Sequence, residues 1–359
     1  MPILSKQDLQ DILDGACILG AGGGGPYPLG QQLLAGIVEH GSVELVAPEA
    51  VGADARLAVA AGVGSPDAAA SGFPFDAATH AWDALAATLG QPFTHVLPGE
   101  VGAANSLLPM TVAVSKRLPI VDGAGAARAI PALPMCTYAS HGLPLGTIVL
   151  ANADEQISFQ APGGAATADS AMRGIVSSGA FKEDTGVAMW AMDGAAMRSA
   201  VIAGTTERAR ALGATLREAA PGDKVAAVAK ALGGRVVFRG AITAAEEQTE
   251  GGFDLGTVTL SAPDGATFRI VNQNENLVAW SGAHPHPLVL APDLICFLTE
   301  DGRPFSNADL DIPGHGPVVV IAAPVDRAMR APALVETFVP ALQQAGYGGP
   351  YVPVEQLWE

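Results

Sequence analysis

The chain has 359 residues, is 49% hydrophobic, and sets 36 acidic against 19 basic residues for a formal net charge of -17. That balance excludes nucleic acid and anionic membrane surfaces as partners, because binding phosphate needs clustered Lys and Arg, and it leaves small molecules as the expected ligands. With no apolar run of about 18 residues, no charged-then-apolar leader after Met1, and cysteines only at positions 17, 136 and 296, the cytoplasm is the expected compartment.

Ser5, followed three residues later by Asp8, predicts a capped helix start, with Leu9, Ile12, Leu13 and Ala16 along one face. The run from Gly20 to Gly25 then places five glycines in six positions. Backbone of this kind can approach another group closely and curl its N–H groups around a carbonyl, a carboxylate or a phosphate. Gly20, Gly22 and Gly25 fit G-x-G-x-x-G, but a helix rather than a strand precedes them. Leu29 to Val38 reads as a second helix with Pro26 and Pro28 at its start. A dinucleotide site is therefore disfavoured against a substrate-facing loop or a tight-packing turn.

Strand patterns follow at Val43 to Val46, Leu57 to Ala61, Thr94 to Leu97, Pro119 to Asp122 and Thr147 to Asn152, with helices around Ala81 to Leu89 and from about Asn105 to Lys116. This alternation predicts an α/β domain with a largely parallel sheet over residues 1–165, whose ligands would gather beyond the carboxyl ends of strands. Pro162-Gly163-Gly164 breaks the pattern. Helical periodicity over Ala166 to Ser178 and Ala195 to Ala219 opens a second domain, residues 166–359. From Arg235 to Asn272 the pattern alternates in period two, interrupted at Gly251-Gly252 and at Asp264-Gly265, and further strands are expected over Leu288 to Leu298 and Val318 to Ala322. The second domain is thus β-rich from about residue 235 to 322, an α+β arrangement.

Glu100 and Asp122 each end a strand pattern where a carboxylate could serve as base, metal ligand or substrate anchor. Against this, Glu100 or Asn105 could simply cap the following helix and Asp122 could form a turn before Gly123. Cys136 precedes His141 by five residues, which suggests a thiolate nucleophile or, more plainly, a small buried hydrophobe. His284 and His286 have a zinc-like spacing, but the alternating prolines favour a rigid loop. Asn272 to Asn276 is either a surface turn or a polar patch on a cleft wall. No nucleophile elbow, Walker A motif or H-E-x-x-H occurs.

Together, Leu19 to Pro26, Glu100 to Pro109, Val121 to Tyr138, Asn274 to Trp280 and Pro292 to Ile295 resemble the landmarks of the DUF917 family of S-methyl thiohydantoin desulfurase-like proteins, over most of the chain and in the right order. The resemblance implies an N-terminal α/β and a C-terminal β-rich domain, and hydrolytic chemistry on a thiohydantoin, hydantoin or related cyclic amide, with a divalent metal as candidate cofactor. On that basis Glu100, Asp122 and Asn105 are the expected catalytic residues. Gly22, Gly23, Gly24 and Gly25 would offer N–H groups to a ring carbonyl, Arg128 would pair with a substrate carboxylate, and Asn274, Glu275 and Asn276 would complete a substrate site between the domains. Ala124 and Ala132 depart from the family pattern, standing where an Asp and a Glu are common. They keep open an alternative: a non-catalytic subunit of a hydantoinase- or oxoprolinase-type enzyme. A homo-oligomer is a further expectation.

Overall fold

The computed structural model describes residues 2–63, 74–179, 181, 185–250, 253–312, 314 and 316–358. The first helix, α1 (Lys6–Leu19), starts at a capping box in which the Asp8 N–H donates to Ser5 Oγ and the Ser5 N–H returns to Asp8 Oδ2, and its Leu9, Ile12, Leu13 and Ala16 are buried as the periodicity requires. Beyond the glycine loop come α2 (Tyr27–His40), β1 (Leu45–Val46), β2 (Arg56–Val63), α3 (Ala77–Leu89), β3 (His95–Pro98), α4 (Leu108–Lys116), β4 (Ile120–Val121), β5 (Gly123–Ala124) and α5 (Thr137–Ser140). There follow β6 (Thr147–Ala151), β7 (Gln156–Gln160), α6 (Ala165–Ser177), β8 (Thr185–Asp193), α7 (Gly194–Ala200), β9 (Ile202–Ala203), α8 (Thr205–Glu218) and α9 (Lys224–Ala231).

The first sheet has seven strands in the order β1-β4-β3-β2-β8-β6-β7. It is parallel from β1 to β2 and antiparallel from β2 onward. The sheet is therefore mixed, and β8, whose buried face is almost wholly apolar, is the strand at which direction reverses. Neither β7 nor β8 stands out in the alternation of the sequence. The second half builds an antiparallel sheet from β10 (Arg235–Glu250), β11 (Phe253–Ser261), β12 (Thr267–Gln273), β13 (Glu275–Ser281), β14 (Val289–Leu290), β15 (Leu294–Thr299) and β16 (Val318–Ala323), in the order β14-β13-β12-β11-β10-β16-β15. It curls into a near-barrel: the Asn276 side-chain amide on β13 donates to the Ile295 carbonyl on β15 at 2.9 Å, bridging strands from opposite ends of the order. The last helix, α10 (Pro332–Gln344), lies outside this sheet.

Three boundaries differ from the sequence pattern for local reasons. α4 begins at Leu108 rather than Asn105, because the Ala104 and Asn105 N–H groups are drawn off to the Gly24 carbonyl. The helical stretch expected from Ala195 to Ala219 divides into α7 and α8, since Ile202–Ala203 pairs with β5. The strand expected from Leu288 to Leu298 is split by a cis Ala291–Pro292 bond. The Asp264-Gly265 turn forms with Gly265 at φ 86°, and Gly251-Gly252 lies outside the described residues. Two ion pairs, Asp11–Arg217 and Asp8–Arg210, clamp α1 to α8 and so join the first half of the chain to the second.

Candidate functional site

β3 delivers Pro98-Gly99-Glu100 to the carboxyl end of the first sheet, where parallel strands leave a crevice. The glycine loop crosses this point. Its carbonyls, more than its N–H groups, hold it there: Ala21 accepts from Asn276 N, Gly22 from Asn307 N, and Gly24 from Ala104 N and Asn105 N. Glycine is required because any Cβ at Gly24 would collide with the Gly102 backbone, and one at Gly23 would overlap the Glu275 carboxylate. Asn274, in left-handed backbone at φ 58°, makes the one-residue connection from β12 to β13 and sets Glu275 directly against this loop.

The resulting cavity is about 150 Å³, a size at which engineered protein cavities accept benzene, so a five-membered ring fits. Gly24 and Gly25 form one side, β8 with Val187, Met189 and Trp190 another, and Glu100, Asn105, Asn274 and Glu275 are among its polar lining. Glu100 accepts from Asn105 Nδ2 at 2.6 Å and from Ile130 N at 2.9 Å. Burial pushes its carboxyl up to about 7 against the pull of these two donors and of the Arg128 charge. Glu275 is 3% exposed and its Oε2 has no hydrogen-bond partner. Burial, and after it the negative charge of Glu100, pushes Glu275 up to about 8. Two carboxyls buried in one largely apolar cavity both resist ionisation, Glu275 the more so for the negative charge of Glu100, against the pull of Arg128 and Arg173.

Several expected site residues lie elsewhere or do other work. Asp122 does not line the cavity; its Oδ1 accepts from the Thr206 and Glu207 N–H groups and so caps α8, whose own N-cap, Gly204, has no side chain to do so. Burial raises its pKa while those two donors lower it. Asp122→Ala should therefore cost about 1–2 kcal/mol of stability, as lost caps do, and leave turnover unchanged. A denaturant midpoint equal to the wild-type value would contradict the capping role.

Arg128 is fully buried, and its guanidinium donates to four main-chain carbonyls, those of Ala129, Asn276, Pro292 and Asp293. It is a strut between the halves and has no face left for a substrate carboxylate. Asn276 is likewise committed through its N–H to Ala21 and its amide to Ile295. Gly22 and Gly23 support the site without lining it. Cys136 does line the cavity, but burial pushes its thiol up to about 12, which removes the thiolate reading. His141 is exposed with its ring against the Ser199 carbonyl, and His284 and His286 are exposed in a loop.

Residues that the sequence patterns did not single out complete the wall: Asp169 and Arg173 from α6, paired at 2.9 Å, and Trp190 from β8. The run Val187-Ala188-Met189-Trp190 is the kind of continuous apolar stretch that a fully buried strand produces, and it is the signal that would have found the last of these. Among the described residues no three His, Cys, Asp or Glu side chains come together to hold a metal ion. The cavity's donors, as the described residues place them, do not fit a divalent cation. Also among the described residues, no helix is long and apolar enough to cross a membrane.

Two family models match the chain: S-Me-THD-like, N-terminal domain, over residues 7–160, and S-Me-THD-like, C-terminal domain, over residues 164–354. The second match begins before β8, so the first sheet takes one strand from the region of the C-terminal model. Among solved structures, the crystal structure of a protein from Chromobacterium violaceum is 30% identical, with a TM-score of 0.84 over 99% of this chain and 100% of that one. No match was found among curated proteins.

Proposed function

Because the chain belongs to the S-Me-THD-like family, we propose that it hydrolyses the carbon–sulfur bond of an S-methyl thiohydantoin, or the equivalent bond of a related five-membered cyclic amide. The observation that carries this reading is the Glu100–Glu275 pair, two carboxyls with raised pKa values in one largely apolar, ring-sized cavity. Sites of this kind divide acid and base roles between groups whose environments set their pKa values apart.

Glu100, whose two oxygens each accept a hydrogen bond, is the member better held as carboxylate and acts as the base toward water. Glu275, pushed higher and with Oε2 free, carries the shared proton and is the acid toward sulfur. Water adds to the ring carbon bearing the methylthio group as Glu100 takes one of its protons. The carbon–sulfur bond then breaks, and the sulfur leaves as methanethiol with the proton of Glu275. The second water proton ends on the ring nitrogen, and the pair holds one proton before and after turnover. Hydantoin is the organic product.

The alternative of a non-catalytic subunit rests on Ala124 and Ala132. Ala132 does lie in the cavity wall, but Glu100 and Glu275 keep two carboxyls there. Incubation of the purified chain with a 5-substituted S-methyl thiohydantoin should yield hydantoin and methanethiol by mass spectrometry, and Glu100→Gln should lower the rate by about 100-fold or more, the usual scale of a lost general base. Undiminished turnover in Glu100→Gln would remove Glu100 from the reaction. A wild-type chain that yields neither product would return the weight to the subunit reading.

A further inference from the structure

Trp190 is held in an arrangement that packing alone does not ask for. Leu57 pairs with Met192 but Val59 pairs with Met189, so Trp190 and Ala191 together face Ala58 in a β-bulge. Bulges of this kind re-aim a side chain and recur beside active sites. Trp190 takes left-handed backbone at φ 48°, which is uncommon for a bulky residue. Trp190, at 2% exposure, stands in the wall between this cavity and a second hollow lined by Ala139, Leu143 and Pro162, its ring in edge-on contact with Tyr138 at 5.6 Å between centroids, and the Tyr138 hydroxyl is itself tied to the Pro98 carbonyl two residues before Glu100. The indole Nε1 is buried with no hydrogen-bond partner. A buried N–H is paired in nearly every native structure, so an orphan in a cavity wall is a donor awaiting an acceptor.

We infer that the Trp190 indole N–H binds the ring carbonyl oxygen of the substrate. This rests on the hydrolytic reading above and adds to it the part of the ring that is recognised. When water attacks the carbon bearing sulfur, the electron pair of the carbon–nitrogen double bond moves onto a ring nitrogen conjugated with that carbonyl. Negative charge therefore grows on the carbonyl oxygen, and a fixed donor there favours the transition state over the ground state. The selected substrates are rings that carry a carbonyl next to the reacting carbon–nitrogen unit.

Trp190→Phe keeps an aromatic ring but removes the donor and part of the bulk, so two inhibitors that differ at the ring carbonyl separate the two effects. The variant should lose about 100-fold in kcat on S-methyl thiohydantoin, the scale of a lost oxyanion donor, with a smaller change in KM. Inhibition by hydantoin should weaken about 10-fold, whereas inhibition by 2-imidazolidinone, which lacks the carbonyl at that ring position, should not change. Wild-type kinetics in Trp190→Phe, or equal weakening toward both inhibitors, would overturn the donor role while leaving hydrolysis standing. Absence of turnover in the wild-type chain would instead overturn the reading on which the inference rests.

Discussion

Glu275→Gln is expected to reduce turnover by about 100-fold or more, because glutamine cannot deliver a proton to the leaving sulfur. The wild-type rate should be bell-shaped in pH, greatest where the pair holds one proton, between the values near 7 and 8 for Glu100 and Glu275. In Glu275→Gln the alkaline limb should disappear, and the residual rate should rise through the ionisation of Glu100 and then level off. Stability should fall in one direction with pH, unlike the bell-shaped rate. A carboxyl whose folded pKa lies above its unfolded value gives its full stability below the unfolded value, and that stability is lost as pH rises from the unfolded value through the folded one. The wild-type melting temperature should therefore fall from about pH 4.3, where the unfolded carboxyls ionise, to about pH 8 and level off above, and Glu275→Gln should flatten that fall. Parallel pH curves for the two proteins would show that Glu275 does not titrate in this window.

Arg128→Met is expected to be among the most destabilising single changes. Its four carbonyl acceptors, on residues 129, 276, 292 and 293, would be left dry and unpaired, at about 1–3 kcal/mol each. Removing a buried guanidinium relieves its own desolvation, but the orphaned carbonyls outweigh that relief. The net loss is then comparable with the about 5–15 kcal/mol that holds a typical domain folded. Glu100 and Glu275 would also lose the positive charge that lowers both. We expect a melting temperature lower by on the order of 10 °C or more, or insoluble protein, and a wild-type unfolding midpoint would refute the strut. Lysine should not rescue the loss, since one ammonium cannot reach carbonyls on three separate segments.

Features governed by neighbours in sequence were the legible ones. The Ser5 capping box, the buried face of α1 and the strand leading to Glu100 all follow from local chemistry, whereas the glycine run announces a close approach whose partners, Gly102 and Glu275, are distant in the chain. The run from Asn272 to Asn276 reads as either a surface turn or a cleft wall, and of its residues Asn274 and Glu275 line the cavity. What stayed hidden depends on contacts far apart in the chain. Asp122 reads as a catalytic carboxylate until α8 arrives from more than 80 residues away and takes its oxygen. Arg128 reads as a substrate anchor until the turn at Pro292 closes over it. The cluster of oxygen donors expected for a metal does not assemble among the described residues, and β8 carries no alternation because both of its faces are buried. Trp190 depends on a register shift against β2 that no property of either strand alone announces.

The most direct test is the protonation of the pair itself, followed by carboxyl ¹³C NMR of glutamate-labelled protein, with Glu100→Gln and Glu275→Gln assigning the two signals. The account predicts two glutamate carboxyls that titrate near neutrality, at about 7 and about 8, and one signal lost in each variant. Two carboxyls that titrate in the ordinary range, near about 4.3, would mean that both are charged at neutrality, and the acid–base pair on which the proposed hydrolysis depends would not exist.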